Sequence, residues 1–107
     1  MTFRHTTFIK NALRVSNNIV TVLRDASNPV ECKMALQASL NALQKLLLDM
    51  EEYKKYETKC IIFETALINA KIVESLFHKD PITNQIRDRM IKNMLIVIDH
   101  LQRTNKI

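Results

Sequence analysis

Residues 46–73, which read LLLDMEEYKKYETKCIIFETALINAKIV, decide the fold, because they either turn back on themselves or form one long helix. At about 100° per residue, the apolar stripe that ends at Met50 projects roughly opposite the stripe that begins at Ile62. A straight helix would therefore present its two halves to opposite sides. Asp49 to Lys59 holds seven charged residues in eleven. A turn in this stretch would be solvated, and we place it at Tyr56–Thr58.

The alternative is a continuous central helix of about 50 residues, roughly 75 Å long at about 1.5 Å per residue. A chain of 107 residues could not cover such a helix alone. This alternative therefore requires an intertwined dimer.

The two prolines mark helix starts on either side of this segment. Asn28-Pro29 and Asp80-Pro81 each offer a capping side chain followed by proline at the first helical position. With short connections between helices, this pattern predicts an all-α antiparallel four-helix bundle forming a single domain over residues 1–107. The predicted helices cover residues 6–26, 29–55, 58–78 and 81–104.

The composition excludes several enzyme classes. The chain has no glycine, whereas average usage would supply roughly seven or eight, so it lacks the glycine-rich phosphate loops and the nucleophile elbow. His5, His78 and His100 form no metal-binding pair along a helix, and Glu74 with His78 reads as a surface contact. We therefore expect no catalytic residues, no metal site and no cofactor.

The remaining bulk features indicate a cytoplasmic protein that does not span a membrane. The longest apolar run, Met94 to Ile98, is far shorter than the roughly 20 residues of a membrane-spanning helix. Cys32 and Cys60 belong to no C-x-x-C pair, and we expect both thiols to be reduced. The acid-free stretch 1–24 resembles a transit peptide in composition, but its apolar spacing favours a first helix of the domain.

Several apolar residues lie outside the predicted core stripes. In helix 3, Ile61, Ile68 and Ile72 cluster within about 40° of one another and lie roughly 130° from the core stripe. Helices 4 and 2 add three further predicted interface residues, Leu95, Ile96 and Leu48, together with Met34. Either a wide core absorbs these residues, or they form a helix-on-helix interface for a second copy or a partner helix.

Positive charge is concentrated in helices 1 and 4. Residues 1–24 carry four basic and no acidic side chains, and residues 81–107 carry five basic and two acidic ones. A shared basic surface could contact phosphates or an acidic protein, but the spacing of the charges and their local acidic neighbours favour a plain solvated exterior. The residues that would form it are Lys10, Arg14, Arg24, Arg87, Arg89, Lys92 and Arg103. Tyr53 and Tyr56 stand in a charged helix end, which gives little support for base stacking.

The pattern as a whole favours binding over catalysis. We expect a small non-catalytic protein-interaction module, such as an adaptor, a chaperone-like subunit or a regulator, that self-associates through helix 3. The alternative is a basic protein that binds the nucleic-acid backbone through helices 1 and 4. Asn69 falls within the core stripe of helix 3, where it either fixes the helix register or is satisfied by a backbone carbonyl.

Overall fold

The computed structural model describes residues 5–25, 33–56 and 61–105, and these residues form four helices. Helix α1 covers His5–Asp25, α2 covers Lys33–Tyr56, α3 covers Ile61–Phe77 and α4 covers Asn84–Asn105. Helix α1 packs on α2 and α4, and α3 packs on the same two helices. The prediction of an all-α four-helix bundle is confirmed.

Polar contacts between α2 and α3 show that these helices are antiparallel. Lys71 Nζ lies 2.6 Å from Glu51 Oε1, and Gln44 Nε2 donates to Glu74 Oε1 at 3.4 Å, so earlier residues of α2 meet later residues of α3. In one continuous helix, Glu51 and Lys71 would be about 30 Å apart. The alternative of a long central helix is therefore wrong. The turn that we placed at Tyr56–Thr58 falls partly on residues 57–60, which lie outside the described residues.

Helix α4 begins three residues later than the Asp80-Pro81 pair predicts. The Asp80–Pro81 peptide bond is cis, and the first helical residue is Asn84. Thr83 is the N-cap, because its Oγ1 accepts a hydrogen bond from the Ile86 backbone N–H at 3.2 Å. Its carbonyl also accepts the first backbone bond of the helix at 2.9 Å. The other predicted start, at Pro29, lies outside the described residues.

The four helices enclose one apolar core that is continuous along the bundle. In α4 the spacing predicts that Ile86, Met90, Met94, Val97 and Leu101 face inward; the last four are fully buried, whereas Ile86 is half-buried. In α1 the spacing predicts a buried stripe of Phe8, Ala12, Val15, Ile19 and Val22. The observed stripe is shifted slightly, so that Val15 and Val22 are only half-buried. Its buried members are Phe8, Ile9, Ala12, Ser16, Ile19, Val20 and Leu23.

Three aromatic rings join α1, α2 and α3 at one end of the bundle. Phe8 stacks on Tyr53 with ring centroids 4.6 Å apart, and Phe63 contacts the Tyr53 ring at 4.6 Å and the Phe8 ring at 6.1 Å. Tyr53 is thus a buried core residue and not, as its charged neighbours at this helix end suggest, a residue of the polar face. The side chain of Tyr56 lies outside the described residues.

Candidate interaction surface

The outer face of α3 carries an isoleucine stripe formed by Ile61, Ile68 and Ile72. These side chains are 78%, 58% and 37% exposed, whereas Ala66 and Ala70 on the opposite face are completely buried. The core therefore does not absorb the stripe. Its members repeat at spacings of seven and four residues, so they follow one side of the helix.

An open groove lies along α3 beside α4 and includes two of these isoleucines. Ile68 and Ile72 with the buried Leu76 supply its apolar surface. Its polar lining is Lys71, Ser75, Lys79 and Arg89, and no acidic side chain is among the described residues that line it. The groove therefore combines an apolar floor with positively charged edges.

The other predicted interface residues fall on different parts of the bundle. Leu48 is exposed on α2, Leu95 is exposed on α4 and Ile96 is half-buried on α4. On α4, Ile96 is rotated by only about 20° from Arg89, whereas Leu95 is rotated by about 120°. Because Arg89 lines the α3/α4 groove, Ile96 lies on the groove side of α4 and Leu95 faces the side towards α1.

The seven basic residues do not form one surface. Arg87 and Arg89 are two positions apart in α4, so they are rotated by about 160° from each other. Arg89 lies on the α3 side of α4, and half-buried Arg87 lies on the α1 side. Arg103 is rotated by about 40° from Arg89, and its Nε lies 3.2 Å from Asp99 Oδ2. The remaining members are all exposed, with Lys92 on the outer side of α4 and Lys10, Arg14 and Arg24 on α1.

The other edge of the isoleucine stripe is electrically balanced by two ion pairs between α2 and α3, which we call the ion-paired flank. One is the Glu51–Lys71 pair, and the other joins Lys54 Nζ to Glu64 Oε1 at 3.1 Å. The hydrogen bond from Lys71 holds the pKa of Glu51 below its ordinary value of 4.5, against the opposing effect of desolvation. Both acids of this flank are thus already engaged within the chain.

The Glu74–His78 contact at the end of α3 is a surface pair, as the sequence predicts. His78 Nε2 lies 2.8 Å from Glu74 Oε1, and this hydrogen bond, followed by the one from Gln44, lowers the pKa of Glu74. His100 lies on α4, with Nδ1 2.9 Å from the carbonyl oxygen of Ile96. Within residues 5–25, 33–56 and 61–105, no three His, Cys, Asp or Glu side chains are grouped to hold a metal ion. His5, Cys32 and Cys60 have side chains outside the described part of the chain.

The polar side chain of Asn69 forms a hydrogen bond within its own helix. The side chain is half-buried, and Nδ2 donates a hydrogen bond to the backbone carbonyl of Thr65 at 2.8 Å. Of the two roles that the sequence left open, the structure shows satisfaction by a backbone carbonyl.

None of the described helices combines the length and the apolar character needed to cross a lipid bilayer. No protein-family model, curated protein or solved structure matches the chain. Its function must therefore be argued from the surface itself.

Proposed function

We propose that this chain is a non-catalytic helical module that acts by binding another protein, and that the isoleucine stripe of α3 is its contact surface. The observation that carries the proposal is the row of Ile61, Ile68 and Ile72, which is exposed although the chain has a complete core elsewhere. Single exposed apolar residues are ordinary, whereas an aligned apolar row beside polar residues is typical of interaction sites.

The energy available from this stripe alone is too small for stable binding. Covering the exposed fractions of the three side chains is equivalent to burying between one and two whole isoleucines, or about 3 to 5 kcal/mol. Association costs about 4 to 15 kcal/mol in lost rotational and translational freedom. The stripe would therefore need further contacts from its polar borders, which favours a partner that also contacts the charged edges of the groove.

An adaptor, a chaperone-like subunit and a regulator are all roles that such a surface would serve, and self-association through α3 is one form that the contact could take. The nucleic-acid alternative receives less support. Arg89 lines the α3/α4 groove, whereas Lys10 and Arg14 are exposed on α1, which packs beside α2 and α4 and not beside α3, so the basic residues offer no single track for phosphates.

The proposal is tested by capturing partners from the native cells with three forms of the chain. The forms are wild type, Ile68→Asp and the control Met34→Asp, which places the same charge at another exposed apolar position on α2. We expect one set of proteins to be retained by the wild type and the control and lost with Ile68→Asp, while circular dichroism shows all three to be folded. Recovery of the same proteins by Ile68→Asp would show that the stripe is not the contact surface.

A further inference from the structure

The charge around the isoleucine stripe is unequal on its two sides. Towards α2, the ion-paired flank is neutralised by its own acids. Towards α4, Arg89 and Lys79, which both line the groove, form a basic flank, and neither has an ion-pair partner among the described residues. A partner that covers the stripe would therefore meet uncompensated positive charge along one edge.

The shape of the site suits a helix. From Ile61 to Ile72 the stripe spans about 16 Å, or roughly three helical turns. It runs beside α4, and two neighbouring antiparallel helices leave a lengthwise groove into which the side chains of a third helix can pack. An amphipathic partner helix with apolar residues at positions i, i+4 and i+7 would match this spacing.

A second copy of the chain is a poorer match for the charges. A symmetric dimer with antiparallel α3 helices would place the basic flank of each copy beside the same flank of the other. A parallel dimer would instead place each basic flank against the ion-paired flank, whose acids are already bound to lysines. In both arrangements two chains of net charge +5 approach each other without complementary charge.

We infer that the α3/α4 groove binds an acidic amphipathic helix of another protein. The apolar face of this helix covers Ile68 and Ile72, and its carboxylates contact Lys79 and Arg89. This inference rests on the proposed function, because it specifies the partner that the stripe binds. Charge complementarity adds the polar contacts that the stripe alone lacks, and it makes association faster at low ionic strength.

The test is a selection from a displayed library of helical peptides of about fifteen residues, with apolar residues at helical spacing and random residues elsewhere. Peptides that bind the wild-type chain are then measured against Ile68→Asp and Arg89→Glu. Met34→Asp and Arg14→Glu are the matched controls, because they make the same charge changes at exposed positions outside the groove. Sedimentation velocity of the wild-type chain and of Ile68→Asp gives the oligomeric state.

We expect enriched peptides to carry aspartate or glutamate beside the apolar positions. Ile68→Asp should weaken their binding at least about tenfold. Arg89→Glu should weaken it by about fivefold at low salt and by less at about 0.3 M salt, where the charge interaction is screened. Both control variants should stay within about twofold of the wild type.

Three results would overturn the inference, and they separate it from the proposed function. Peptides without acidic residues that still require Ile68 would reject the acidic partner but keep the stripe as a binding surface. A wild-type dimer that Ile68→Asp disperses would assign the stripe to a second copy, which also keeps the proposed function. Failure to enrich any peptide, or binding that is insensitive to Ile68→Asp, would reject the acidic helix and count against the stripe as well.

Discussion

Two matched substitutions in α3 test whether its two faces have the roles that the structure gives them. Val73 and Ile68 are both β-branched and lie five residues apart in the same helix. Val73 is fully buried against the core, whereas Ile68 is 58% exposed. Replacing each by aspartate introduces the same side chain into the same helix α3, which covers Ile61–Phe77, so the difference between the two variants reports mainly on burial.

The expected losses of unfolding free energy differ severalfold. At position 68 a little under half of the isoleucine is covered, so Ile68→Asp loses about 1 kcal/mol of burial, with little change in helix propensity. At position 73 the loss of a buried valine costs about 1.5 to 3 kcal/mol, and the buried carboxyl group costs several kcal/mol more. This sum approaches the total stability of about 5 to 15 kcal/mol that is usual for a domain.

The measurement is urea unfolding followed by far-ultraviolet circular dichroism, with linear extrapolation to water. Ile68→Asp should give a cooperative transition with an unchanged slope and a slightly lower midpoint, while Val73→Asp should be largely unfolded without denaturant. Equal destabilisation of the two variants would mean that Ile68 belongs to a core. A stable Val73→Asp variant would mean that α3 is rotated from the orientation described above. Either result would contradict the burial assigned to the two faces of α3.

Four further changes test individual contacts. Phe63→Ala should lower the free energy of unfolding by about 3 to 5 kcal/mol, because it empties the centre of the aromatic cluster; a loss below about 1 kcal/mol by urea unfolding would contradict this packing. Ser16→Ala should raise it by about 1 kcal/mol, because the buried Oγ has no hydrogen-bond partner among the described residues, and a loss of stability would reveal a partner. Thr83→Ala should lower the melting temperature through the loss of about 1 kcal/mol of capping, while serine at this position should preserve it. Lys71→Ala should lower the free energy of unfolding by less than about 1 kcal/mol at neutral pH. Because the folded-state pKa of Glu51 is lowered, this difference in stability should disappear as the pH falls below 4.5 and through the lowered pKa. A difference that persists in acid would argue against the ion pair.

Helical periodicity accounts for the parts of the fold that the sequence predicts correctly. The change of phase between Met50 and Ile62 predicts a reversal between the second and third helices, and the two helices indeed pack antiparallel. The same periodicity predicts that Ile68 lies outside the core stripe, and it is exposed. Both features depend only on the angular position of each residue around its own helix, and the sequence determines that position.

The predictions for Tyr53 and for the start of α4 failed because, in each case, neighbouring residues favour different local structures. Tyr53 lies between the charged residues Glu52 and Lys54, which favours an exposed position. It also lies three residues after Met50, however, and this spacing continues the buried stripe of α2. At the start of α4, Asp80 and Thr83 are both good capping residues. The sequence alone does not say which one caps the helix, whereas the observed hydrogen bond from Ile86 selects Thr83.

The charge of the α3/α4 groove depends on a further property, the hand of the bundle. Four antiparallel helices joined by short connections can follow one another clockwise or anticlockwise around the core with the same neighbours. In the observed hand, the side of α4 that carries Arg89 and Ile96 borders α3. In the opposite hand, the side that carries Arg87 and Leu95 would border α3, and the isoleucine stripe would acquire a different charged edge. Sequence reasoning can therefore identify the stripe from α3 alone, but the charge of the partner follows only from how α3 and α4 are placed side by side.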